Sequence, residues 1–178
     1  MTPLSKFACA APLALALLLA GCGGSDSEDQ ASAYCPTPFT VQDAGRLTHF
    51  KEGPGRDPRD VEYEAALAGV RANCTLKKNQ MNVNVVMRVA VAAGPSVSSG
   101  TTRVPYFVRV LGGQGTVVQG QDFTADFKLS SRNPRGQSQE ELSLVLPYGK
   151  LSDLGAYRIA VGLKPSPQEL DFNRRSGR

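Results

Sequence analysis

The chain has 178 residues, 41 % hydrophobic and 20 % charged, the composition of one ordinary globular domain able to build its own core. Tryptophan is absent and aromatics reach only 7 %, so that core must rest mainly on Val, Leu and Ala. The formal charge of +4, one less once Lys6 leaves, is spread over scattered basic residues, which argues against a nucleic-acid surface.

The N-terminus reads as an export signal. Lys6 supplies a short positive region, and the mostly Ala/Leu run Ala8–Ala20 is too short to span a bilayer but suits the apolar part of a signal peptide. It ends in Leu19-Ala20-Gly21-Cys22, which resembles the lipobox of bacterial lipoproteins. That resemblance implies cleavage before Cys22 and acylation of its thiol. Each buried methylene contributes about 0.8 kcal/mol, so two or three chains would anchor the protein durably to a membrane. Gly23, rather than Asp, resembles the pattern sorted to the outer membrane. The Gly/Ser/acidic stretch Gly23–Ala33 is flexible linker chemistry with a reach of roughly 20 Å. The sequence thus divides into a signal peptide (1–21), a lipidated linker (22–33), a β domain (34–172) and a basic disordered tail (173–178).

Of the four cysteines, Cys9 lies in the signal and Cys22 takes lipid. Cys35 and Cys74 remain, an even pair in an oxidising compartment, and a disulfide between them is predicted to pin the first strand. No Cys-x-x-Cys exists and His49 is the only histidine, so neither a zinc site nor any other metal or cofactor is expected.

The body alternates with period two. Val61, Tyr63, Ala65, Leu67 and Gly69 form one face of a strand. After the polar turn at Lys77–Gln80, Met81, Val83, Val85, Met87, Val89 and Val91 form another, so the pair is predicted to be an antiparallel hairpin. Gly94–Thr102 reads as a loop and Val104–Leu111 as a strand. Pro105 has no N–H for a ladder, which makes Val104, Tyr106 and Val108 the candidate partner edge. Gly112–Gly115 reads as a hairpin turn, and Thr116–Leu129 as a strand with Phe123, Ala125 and Phe127 on one face. Ser130–Gln139 reads as a polar loop, Leu142, Leu144 and Leu146 (or Val145 in the other register) as a strand, and Tyr157, Ile159, Val161 and Leu163 as the last one. No helical periodicity is evident after the signal. The pattern predicts an all-β antiparallel sandwich preceded by a signal-peptide helix and a flexible linker.

Asp153-Leu154-Gly155-Ala156-Tyr157-Arg158-Ile159 resembles the Asp-x-Gly-x-Tyr-x-Cys stretch of immunoglobulin-like domains. The resemblance implies an immunoglobulin- or fibronectin-like sandwich with Tyr157 as its tyrosine corner. Ile159 replaces the usual cysteine and no tryptophan is present, so the antibody-type variant is not implied. Tyr34-Cys35-Pro36, Arg46-Leu47-Thr48-His49-Phe50, Ala72-Asn73-Cys74, Pro105-Tyr106-Phe107-Val108 and Val161-Gly162-Leu163 are similar to a family of alphaproteobacterial lipoproteins over most of the folded domain. That resemblance implies an envelope location and a shared fold, and lends no mechanism.

Catalytic signals are sparse. His49 has no nucleophile motif beside it, Glu62 and Glu64 read as a solvated face, Asp57 and Asp60 as a salt-bridged turn. The expectation is a non-enzymatic, lipid-anchored protein on the periplasmic face of the envelope, acting as an interaction or scaffold module for another envelope protein. The alternatives are a carrier or sensor of an apolar ligand bound between the sheets and, further back, a hydrolase.

Overall fold

A computed structural model describes residues 31–53 and 56–176. The signal peptide, Cys22 and the linker as far as residue 30 lie outside the described residues. The fold is an all-β sandwich of two four-stranded sheets. Its strands are β1 (Pro38–Thr40), β2 (Arg46–Phe50), β3 (Val61–Lys77), β4 (Gln80–Ala93), β5 (Gly100–Leu111), β6 (Val117–Leu129), β7 (Arg135–Pro147) and β8 (Arg158–Leu163). The orders are β1-β8-β5-β6 and β2-β3-β4-β7. Every pairing is antiparallel except β1 with β8, which is parallel.

The alternation of β4 works as expected. Met81, Val83, Val85, Met87, Val89 and Val91 are all buried between the sheets, and each contributes on the order of 1.5–3 kcal/mol by leaving water. Asn79 closes the β3–β4 hairpin at φ 60°, the left-handed conformation that asparagine tolerates better than most residues. In β3 the register shifts between Leu67 and Gly69. Val61, Tyr63 and Ala65 face the core before this bulge; after it the even residues Val70, Ala72, Cys74 and Leu76 do. Gly69, expected on the apolar face, is therefore exposed, because one extra residue reverses the alternation. On β7, Leu142, Leu144 and Leu146 face the core and Val145 is 49 % exposed, which decides between the two registers.

Several expectations are corrected. The polar stretch taken for a loop as far as Gln139 turns back by residue 134, and Arg135–Gln139 belongs to β7. Gly136 permits this: a Cβ there would stand 2.8 Å from the Phe127 ring. Tyr157 lies outside the last strand and ends a 3₁₀ segment (Leu151–Ala156). Residues 31–34 are helical and Ala31 is buried, so the end of the predicted linker is ordered. The Cys35 amide closes that turn on the Ser32 carbonyl, and Cys35 is bonded to Cys74 on β3. The predicted disulfide thus exists and ties the approach to β1, in one sheet, to the other sheet.

The disordered tail is also corrected. Pro167–Arg175 forms helix α1, capped by Ser166, whose hydroxyl accepts from the Glu169 amide while Glu169 accepts from the Ser166 amide. Pro167 fits the first helical position, where its missing N–H is not needed. The helix packs on β2. Phe172 meets Phe50 edge-on at 5.0 Å between ring centres, the Asn173 amide donates to the Arg46 carbonyl at 2.9 Å, and Arg174 pairs with Asp43 at 3.0 Å. Residues 173–176 are thus docked by specific contacts, Asn173 among the most buried polar residues.

Candidate functional site

The candidate edge does not lie at an edge. β5 pairs with β6 along its length and with β8 from Tyr106 to Leu111. Val104, Tyr106 and Val108 are buried core residues. Pro105 is tolerated because the β8 pairing stops beside it: Leu163 faces Tyr106, and the Lys164 amide still reaches the Pro105 carbonyl at 2.9 Å. Tyr106 is held by its own hydroxyl, which donates to Glu140 at 3.0 Å, and by stacking on Phe123. Burial and that hydrogen bond raise its pKa beyond the ordinary phenol range.

The strands that end the sheets are β1 and β6 in one and β2 and β7 in the other. β7 is thirteen residues long and pairs only with β4 among the described strands. Edge strands are usually guarded by charge. Here Arg135, Glu140 and Glu141 guard the first half, with Glu140 turned inward onto Tyr106. Leu142–Pro147 carries no charge and exposes Val145. β6 and β7 are joined at residues 130–134, so the start of β6, with Val117 59 % and Val118 57 % exposed, lies at the same end of the flank as Val145. Sequence reasoning missed this corner. The available signal was the uncharged run Leu142-Ser143-Leu144-Val145-Leu146, whose position at an edge depends on pairing that no local pattern reveals.

His49 lies on β2 at the mouth of a cleft of about 540 Å³, with Glu62, Tyr63, Arg103 and Glu169 among its walls. Its Nδ1 is 2.7 Å from Glu169 Oε1, its Nε2 is 3.7 Å from Glu62 Oε2, and its ring stacks on Tyr63 at 4.7 Å. The Glu169 hydrogen bond, assisted by the charges of Glu169 and Glu62, raises the His49 pKa against partial burial and the nearby Arg56. Burial pushes the Glu169 carboxyl upward, but hydrogen bonds from His49 and the Ser166 amide outweigh it and leave the group below its ordinary range. The Tyr63 hydroxyl donates to the Arg103 carbonyl at 2.8 Å, and burial raises its pKa. The cluster joins helix α1 to both sheets. Both ring nitrogens of His49 are thus directed at carboxylates, Nδ1 at Glu169 and Nε2 at Glu62. Among the described residues no group of three or more His, Cys, Asp or Glu side chains is placed to hold a metal ion.

Two further places bear on ligands. The gap between the sheets beside Val108, Val110, Leu142 and Leu144 has no room for a water-sized sphere. On the outer face of the second sheet, Arg46, Ala66, Ala90 and Gln137 stand opposite one another across β2, β3, β4 and β7, and Thr48, Glu64, Ala92 and Arg135 form the next row. A groove of about 880 Å³ lies over these rows.

Tyr157 precedes β8, and its hydroxyl donates to the Pro147 carbonyl at 3.0 Å, bridging the 3₁₀ segment back to the end of β7. The molecule is thus a disulfide-braced, two-sheet β-sandwich with a docked C-terminal helix. Neither a family model nor a curated protein matches the sequence.

Proposed function

We propose that this chain is a lipoprotein of the cell envelope, anchored through acylated Cys22 on the periplasmic side, at the outer membrane, and that its sandwich is a non-catalytic module that accepts an extended strand of a protein partner along β7. The uncharged half of β7 carries the reading: an edge without charge that exposes Val145 is where a partner strand gains main-chain hydrogen bonds and an apolar contact together. The anchor rests on the lipobox-like stretch and on the resemblance to alphaproteobacterial lipoproteins. The His49 pair supports a non-catalytic role, since it is occupied in holding α1. An immunoglobulin-like kinship draws support from β4 pairing with β7 in one sheet while β5 pairs with β8 in the other, and from the Tyr157 hydrogen bond. It departs from that pattern after β8, where α1 takes the place of a further strand.

An apolar ligand carried between the sheets has less support, because the described gap there is closed. The strand-docking reading is tested with Val145→Lys and Ser143→Lys. Both side chains lie on the outer side of β7 and neither is in the core, so the variants are expected to melt with the parent and to lose the envelope protein that copurifies with it. Retention of that protein by both folded variants would refute strand docking.

A further inference from the structure

We propose that the groove on the outer face of the second sheet binds an amphipathic anion: one long apolar chain bearing a single carboxylate or phosphate head. The site uses the face of the sheet and stands independently of strand docking at the β7 edge. Three alanines make its floor. Ala66 and Ala90 are cross-strand partners, and Ala92 follows on the same face. Alanine is a poor strand residue, and a solvated face gains more from Thr. Three neighbouring alanines lower the floor, with Thr48 and Glu64 completing the row beside Ala92, and this suits close approach by a chain. The space, about 880 Å³, is within the range of small-molecule sites.

The rim supplies the charge. Arg46 and Arg135 line opposite banks, on β2 and β7, and neither makes an ion pair among the described residues. Helix α1 brings Asn173 to the groove. Its Nδ2 donates to the Arg46 carbonyl, which fixes the amide orientation and leaves Oδ1, an acceptor, buried without a hydrogen-bond partner among the described residues; it adds polarity to the wall and not charge for the anion. Among the described residues no aromatic side chain lines the groove, so they offer no stacking platform for a sugar ring or a base. An alanine floor between two arginines, with the single carboxylate of Glu64 on it, leaves the lining net positive and matches a chain with one anionic head.

Titration calorimetry on the purified full chain tests this with oleate, 1-oleoyl-lysophosphatidate, oleamide and inorganic phosphate. Saturable binding of an anionic amphiphile is expected, with oleamide and inorganic phosphate each at least roughly ten-fold weaker, since each lacks one half of the recognition. Preference for oleate identifies a free fatty acid as the ligand source, and preference for the phosphate-headed probe a lipid headgroup; both support the site. Arg46→Gln and Arg135→Gln should each weaken binding about ten-fold. Ala90→Leu, which raises the floor without altering charge, should block it while melting with the parent. Equal binding of oleamide or inorganic phosphate, or unchanged affinity in all three folded variants, overturns the proposal. So does a change in sedimentation alone without oleate binding, which would make the groove a contact between copies of the chain.

Discussion

His49 and Glu169 lie 120 residues apart, and each changes the other's proton affinity. The His49 pKa is raised above its ordinary 6.5, so its contribution to stability is full below that pH and is lost as pH rises through the folded-state value. Glu169 is held below its ordinary 4.5, so its contribution is present above that pH and is lost as pH falls through the folded-state value. The pair therefore stabilises most between the two ordinary values. Glu62 strengthens the histidine's charge and Arg56 opposes it. Glu169→Gln should flatten this part of the pH profile and cost about 1 kcal/mol at its maximum, a reduced figure for a charged hydrogen bond because His49 is 41 % exposed. Urea unfolding at a series of pH values checks it, and parallel profiles for parent and variant would count against the pairing. A lone histidine was legible in the sequence; its partner was not, since nothing local links β2 to a C-terminal glutamate. Gly162 is a second case in which packing decides. A Cβ there would meet the Phe107 ring at 2.5 Å and the Ala44 side chain at 2.8 Å. Gly162→Ala should lower stability by about 1–3 kcal/mol, measured by denaturant unfolding.

The long apolar alternations of β3 and β4 identified their elements because six consecutive inward positions admit one register, and the Cys35–Cys74 bond followed from counting cysteines on the expectation of an oxidising compartment. Replacing both cysteines by serine should cost about 4 kcal/mol on loop-entropy grounds, read as a lower denaturation midpoint that reducing agent no longer shifts. Where an element's position depends on remote pairing, the sequence was less informative. Pro105 suggested an edge, yet β5 is interior and the proline falls at the margin of its partner. Helix α1 was missed because its inward face, Glu169, Phe172 and Asn173, is mostly polar and too short to show an apolar period. Its start was nevertheless written in Ser166-Pro167-Gln168-Glu169, a capping box with proline at the first helical position. Ser166→Ala should cost about 1 kcal/mol and expose the β2 side of the helix first in hydrogen exchange. Uniform protection with no loss at α1 would show that the cap is dispensable.

At the scale of the whole molecule, two features act together: a sandwich whose ends are braced by a disulfide and a docked helix, and one long sheet edge whose second half lacks charge. Bracing limits fraying of the chain ends, so a strand docking as proposed would meet a preformed ladder and less binding energy would go into ordering it. The fold class was legible from alternation and turn residues. The uncharged β7 edge was not, because strand order is a property of the assembled sheets. The most direct test is site-specific photo-crosslinking in cells, with the full chain carrying the crosslinker at Ser143 or Val145 on β7, or at Glu64 on the opposite half of the same sheet. The account predicts one envelope protein joined reproducibly from 143 and 145, absent from 64, and lost when the uncrosslinked neighbour of that pair is changed to lysine. Equal adducts from all three positions, or a specific adduct from 64 alone, would contradict β7 as the docking edge.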